Sequence, residues 1–244
     1  SQSGLVRFPR ASGNLSFLRR NGTRGTVRRH EGLLEGGPIP AEARLVLQIS
    51  RWDRLKDMAG VLTGFAGHVG HIPNDVHLML VGPEPSGVSD DPEAVDVQEE
   101  CRDIWRAQPV DVQRRLHLCS LPTDDVDENA HLVNALQRHA TVAVQKSLAE
   151  GFGLTVTEAM WKGLPVIATR VGGIQDQIVH QESGLLLDDP TDLDCFAGLV
   201  LSVLRDEDLA AHLGRAARER VRTRFLGDRH LTQYVDLFET LATS

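Results

Sequence analysis

The chain has 244 residues, 41% of them hydrophobic and 25% charged, with a net charge of −8 and three cysteines. That profile excludes wholesale disorder, collagen-like repeats and coiled coil, and the length allows one large domain or two small ones. No apolar run approaches the roughly 18 residues of a membrane span, and the scattered Cys101, Cys119 and Cys195 suit neither a disulfide framework nor a zinc cluster.

Residues 1–44 hold eight arginines against three glutamates, an excess of +5 that leaves −13 on the remainder. An acidic main body argues against nucleic acid as a partner. The first residues lack the apolar stretch of a signal peptide, and with unpaired cysteines a cytoplasmic location is expected. Residues 1–43, rich in Gly, Arg and Pro, keep neither a helical nor a strand period. They read as an irregular basic linker or the remnant of a missing domain, with a basic docking arm as the alternative.

From residue 44 the pattern changes. Short apolar runs predict strands at 44–50, 76–82, 116–121, 141–145, 165–169 and 184–187. Amphipathic stretches predict helices at 58–69, 93–107, 129–139, 155–162, 174–179, 193–205, 207–225 and 228–242. Strands alternating with helices read as βαβ units, hence an α/β fold with a doubly wound parallel sheet covered on both faces. Residues 44–244 form that single domain, and ligands of such sheets bind at the carboxyl ends of the strands. The segments to inspect are therefore 50–57, 82–92, 120–125, 145–155 and 169–174.

SLAEGFGLTVTEAM (147–160) is the richest of them. Gly151 and Gly153 flank Phe152 between a strand and a helix, which lets the backbone approach a ligand. With Thr155 as the expected helix cap, the helix N-terminus offers free N–H groups to a phosphate. Glu150 and Glu158 are separated by seven residues around the loop. The plainer alternative is a tight turn whose glutamates only cap and solvate the helix. In SRWDRLKD (50–57), Arg51 and Lys56 can clamp a diphosphate at the same sheet edge. The alternative is a solvated charge cluster paired internally, Arg54 with Asp57 for example.

R-x4-K, then E-G-F-G-L-x-x-x-E-A-M, then G-x-P-V-I-A-T-x-V-G-G resembles the C-terminal, Rossmann-like donor-binding domain of retaining GT-B glycosyltransferases of family 4. SRWDRLKD, VGPEPSGVSDDPEA, VNALQRHATVAVQKS and EGFGLTVTEAMWKG together resemble the trehalose synthase and trehalose phosphorylase group. The resemblance covers 44–244. It implies that Arg51 and Lys56 hold the donor's phosphates and that Glu150 lies near the transferred sugar. It further implies that Gly151, Phe152, Gly153 and Leu154 turn amides to sugar and phosphate, and that Glu158 takes the ribose hydroxyls. Lys146 becomes a candidate phosphate or sugar contact, the alternative being an exposed strand-end lysine. The base is expected near 118–121.

The implied donor is UDP-, ADP- or GDP-glucose and the implied acceptor a small sugar, with a missing N-terminal GT-B domain as partner. No cofactor or metal is required; a loosely held magnesium on the diphosphate and a homodimer are compatible with the pattern. Two other functions stay open: a phosphorylase using phosphate and glucose-1-phosphate, and a non-catalytic nucleotide-binding or assembly module. Asp125 and Asp127 read as helix-capping residues. His68 and His71 lack a metal-binding partner. Trp161 reads as core, and Gly172–Gly173 as a close turn.

Overall fold

The computed structural model describes residues 6–7, 16–27, 34–85, 92–226 and 238. The strands are β1 (Val6–Arg7), β2 (Ser16–Leu18), β3 (Arg24–Thr26), β4 (Leu34–Glu35), β5 (Ile39–Pro40), β6 (Arg44–Ile49), β7 (Val76–Pro83), β8 (Leu116–Leu121), β9 (Val142–Gln145), β10 (Val166–Thr169) and β11 (Leu185–Leu187). The helices are α1 (Met58–Gly67), α2 (Pro92–Arg106), α3 (Val110–Gln113), α4 (Val126–His139), α5 (Leu154–Trp161), α6 (Ile174–Gln177), α7 (Leu193–Arg205) and α8 (Glu207–Arg224).

The main sheet runs β11-β10-β9-β6-β7-β8-β4. From β11 to β8 every pairing is parallel, and β4 closes the far edge antiparallel to β8. Numbered along the chain from β6, the six parallel strands stand in the order 3-2-1-4-5-6, the doubly wound arrangement expected from the sequence. β6 and β9 are neighbours, and the chain winds away from them in opposite directions. Their following loops therefore open a crevice at the carboxyl edge, a topological switch point.

Alternation along the strands divides the core in two. Val46, Leu78, Leu80, Val142 and Val144 face α1, α2 and α7, whereas Leu45, Leu47, Met79, Val81 and Ala143 face α4 and α5. α8 serves both clusters, with Leu213 in the first and Ala217 and Val221 in the second.

Among the described residues, four helices begin on an aspartate whose carboxylate accepts from an amide three residues on: Asp57 from Gly60, Asp125 from Glu128, Asp192 from Cys195 and Asp206 from Leu209. Such caps satisfy amides that a helix start would otherwise leave open. The Asp125 cap moves the start of α4 to Val126, three residues before the expected position.

The described residues of the stretch read as irregular hold five short strands. Strands of two or three residues are too brief to display a period. β2 and β3 form a hairpin whose Phe17 packs against His131 of α4, with the rings tilted and their centroids 4.6 Å apart. Arg19 pairs with Asp125 at 2.6 Å and Arg20 with Asp127 at 2.7 Å. The two aspartates thus serve the helix start and also bind the hairpin. The expected helix at 228–242 lies outside the described residues, apart from Phe238, which is helical. Part of the VGPEPSGVSDDPEA stretch, residues 86–91, also lies outside them.

Candidate functional site at the switch point

The crevice is built by the segments that leave β6 and β9. After β6 the chain makes a single 3-10 turn, Arg54–Lys56, capped by Asp53, whose carboxylate accepts from the Leu55 amide at 2.8 Å. Asp57 then takes a left-handed conformation, φ 48°, to start α1. The Leu148 amide donates to the Leu55 carbonyl at 2.8 Å, so the two loops are fastened to each other. Buried Gln48, at the end of β6, reaches both: its Nε2 donates to the Lys56 carbonyl at 2.8 Å, and its Oε1 accepts from the Lys146 amide at 3.2 Å.

Two cation–carboxylate pairs cross the crevice. Lys56 Nζ lies 2.6 Å from Glu150 Oε2, with both side chains largely buried, at 14% and 12% exposure. Lys146, 2% exposed, donates to the Asp57 carboxylate. The exposed-lysine reading of Lys146 is therefore wrong: the β9 end is covered, and burial of an ammonium demands a partner. Lys146 also acts at a distance on Asp189, just beyond β11. Thr191 holds the Asp189 carboxyl below its usual range through side-chain and backbone bonds, and the Lys146 charge lowers it further.

Arg51 is turned outward and pairs with Asp53 at 2.9 Å. Arg54 does not pair with Asp57. It reaches across to Glu93 at 3.7 Å and Glu100 at 3.5 Å on α2, because Asp57 is taken by Lys146 and by the start of α1.

The glycine loop enters α5 without a side-chain cap. Gly153, φ 84°, occupies the cap position, and Thr155 is not the cap: its hydroxyl donates to Gln145 Oε1 at 3.0 Å. Nothing among the described residues accepts from the N–H groups of Phe152, Gly153, Leu154 or Thr155. The Gly151 amide faces the Glu150 carboxylate at 3.2 Å. Four open amides at the positive end of a helix dipole, next to Lys56, form a natural seat for an anion. Phe152 and Leu154 are exposed beside it.

Behind the loop, Gly172 is a necessity. Its φ is +49°, and a Cβ there would lie 1.6 Å from the Glu150 carbonyl oxygen. The next residue, Gly173, donates its N–H to the Gly151 carbonyl at 2.8 Å. Glu158 stands exposed on α5, and its backbone carbonyl accepts from Lys162 Nζ at 3.5 Å. Burial lowers the Lys162 pKa, against the opposing charge of Glu158.

Leu118–Leu121, expected to flank a base, are buried within β8. Trp161 is not core: it is 41% exposed, with the Arg218 guanidinium 5.5 Å from its ring centroid. His68 has a carboxylate partner after all, Asp194 at 3.0 Å, but the described residues contain no metal-binding cluster.

Asp57, Gln48, Gln145 and Gln177 were not singled out as site residues. For the first two glutamines a signal existed, because RLVLQIS and TVAVQ each carry a glutamine directly after an apolar run. Burial of that residue requires hydrogen-bond partners.

Residues 127–220 match the family described as glycosyl transferases group 1. The trehalose synthase of Pyrococcus horikoshii is 36% identical over 210 residues, 86% of this chain and 47% of that protein. The sucrose-phosphate synthase of Thermosynechococcus elongatus superimposes with a TM-score of 0.65 at 29% identity, over 84% of this chain and 47% of that one. Anabaena HepE, solved with UDP-glucose, shares the fold at a TM-score of 0.61 and 20% identity, over 83% of this chain and 49% of its own. The chain thus spans about half the length of the relatives it matches. Among the described residues no helix is long and apolar enough to cross a membrane.

Proposed function

We propose that this chain, which carries a domain of the group 1 glycosyl transferases, is the donor-binding half of a retaining glycosyltransferase. It would move glucose from a nucleotide-sugar to a sugar acceptor, glucose itself, to form trehalose. The observation that carries the reading is the meeting of Lys56, Glu150 and four open amides at the switch point. The similarity to trehalose synthase supports the product, and UDP-glucose in a protein of the same fold supports the donor class. The acceptor is held by a second domain outside this chain.

In this mechanism the bond between the sugar's C1 and the donor phosphate breaks as the bond to the acceptor oxygen forms on the same face. The acceptor's proton passes to the leaving phosphate. The transition state resembles an oxocarbenium ion, and negative charge grows on the phosphate. Lys56 and the amides of 152–155 are fixed donors at that charge, and lower the barrier because they need little reorganisation; Arg51 joins them only by turning inward from Asp53. Lys56 exchanges part of its contact with Glu150 for a phosphate oxygen, which frees Glu150 to orient the sugar hydroxyls. Lys146 acts from behind by holding Asp57, and Glu158 receives the ribose.

Calorimetric titration with UDP, ADP, GDP and glucose-1-phosphate tests the reading. At least one nucleoside diphosphate should bind, and Lys56→Ala should weaken it about tenfold or more. Glu158→Ala should weaken the nucleoside diphosphate and leave glucose-1-phosphate unchanged. In a reconstituted enzyme Lys56→Ala should cost about 10²–10³ in rate. Binding of glucose-1-phosphate without any nucleotide would favour a phosphorylase. Nucleotide binding without transfer, even with an acceptor domain supplied, would leave a binding module.

A further inference from the structure

Gln177, the last residue of α6, is fully buried and has no place in the reaction described above. Its side chain nevertheless touches the glycine loop on both sides. Nε2 donates to the Phe152 carbonyl and, at 3.5 Å, toward the Gly153 carbonyl. Oε1 accepts from the Thr157 hydroxyl at 2.6 Å, on the first turn of α5. The backbone of α6 is held in turn by α8: Arg220 donates to the Gln177 carbonyl and, at 2.7 Å, to that of Asp176.

A trans peptide places its C=O and its N–H on opposite sides of one plane. The Gly151 carbonyl is bound by the Gly173 N–H, so the Phe152 N–H points away from α6. The Phe152 carbonyl is bound by Gln177, so the Gly153 N–H points the same way. The Gly153 carbonyl turns into α5, where it accepts from Val156 at 3.0 Å, and the Leu154 N–H is left at the helix mouth. Without Gln177 the peptide between Phe152 and Gly153 has no partner among the described residues to oppose its rotation. A flip would replace one N–H of the anion seat by a carbonyl oxygen.

We infer that Gln177 is a positioning residue, whose donated hydrogen bond to the Phe152 carbonyl orients the amides that receive the donor's phosphates. The inference rests on the donor-site reading above and names the group that sets its geometry.

The test compares the wild-type chain with Gln177→Leu and Gln177→Glu, using UDP and uridine as probes. Glu keeps the acceptor for Thr157 and removes the donor, so it separates the proposed bond from mere packing. UDP affinity should fall about tenfold or more in both variants, with uridine affinity unchanged. Backbone ¹⁵N relaxation should show Phe152 and Gly153 becoming mobile in both. Wild-type affinity for UDP in Gln177→Glu, or equal loss of UDP and uridine, overturns the inference. Should UDP fail while ADP or GDP binds, that diphosphate and its nucleoside replace the pair of probes; should all three fail to bind the wild-type chain, the donor-site reading falls instead. Relaxation then decides the positioning role alone, and an unchanged loop in both variants overturns it.

Discussion

Two sets of ion pairs tie distant parts of this chain together, and they differ in how far they stand from water. At the crevice, Lys146–Asp57 and Lys56–Glu150 are nearly enclosed and join the loops after β6 and β9. At the start of α4, Arg19–Asp125 and Arg20–Asp127 dock the hairpin, with Arg20 78% exposed. The geometry is alike, but the dielectric is not. A pair in water is screened and competes with hydration, whereas an enclosed charge stripped of its partner has nowhere to find a substitute. The crevice pairs therefore bear on stability and, in the proposed function, on ligand geometry, and the hairpin pairs on docking alone.

The sharpest way to break this contrast is Lys146→Met, which leaves the Asp57 carboxylate uncompensated. It should cost about 3 kcal/mol in denaturant unfolding. Adding Asp57→Asn, which keeps an oxygen for the Gly60 amide, should restore much of the loss. If the single variant is as stable as wild type, the crevice pair is no different from a surface one.

Gly172→Ala should follow at about 2 kcal/mol, from the positive φ and the collision with the Glu150 carbonyl. It should also weaken whatever binds the 151–155 amides, which the same unfolding and titration experiments measure. A neutral fastening gives the next step down. His77 Nδ1 lies 2.9 Å from His117 Nε2, and His117 Nδ1 lies 2.9 Å from the Gly37 carbonyl. Because a carbonyl only accepts, His117 carries its proton on Nδ1, and His77 donates to the bare Nε2.

Burial, with a smaller contribution from His77, pushes the His117 pKa down to about 3. Burial and the charge of Arg115 lower that of His77. Both rings are harder to protonate in the folded protein than in the unfolded chain, so at low pH unfolding takes up protons. Their contribution is thus complete above the ordinary histidine pKa of about 6.5 and is lost as pH falls from there toward about 3. His117→Gln should flatten the fall in stability by about 1.4 kcal/mol per pH unit in that window, followed by urea midpoints. The smallest effect belongs to Arg20→Ala, whose melting temperature should match wild type within error; a clear drop would erase the distinction between the two sets of pairs.

The sheet was legible because β6, β7, β8, β9 and β10 are buried on both faces and read as continuous apolar runs. The glycine loop was legible because only glycine suits the backbone that enters α5 at Gly153. The partners were not. Lys146 and Asp57 lie 89 positions apart, and Gln177 and Phe152 lie 25 apart; only the folded sheet brings them into contact. Thr155 looked like a cap because its residue type favours one. In fact the cap position falls two residues earlier, at Gly153, and the hydroxyl goes to Gln145. The 3-10 turn at Arg54–Lys56 is a single turn, too short to leave a period, yet it delivers Lys56 to Glu150.

α8 has a consequence for how the molecule comes apart. Its Leu213 belongs to one face of the sheet and its Ala217 and Val221 to the other, so neither layer can peel away while the helix stays in place. Release of the helix strips apolar cover from both layers at once. Hydrogen exchange should accordingly find amides of α1 and of α4 protected to a similar degree, opening together as one cooperative unit rather than layer by layer.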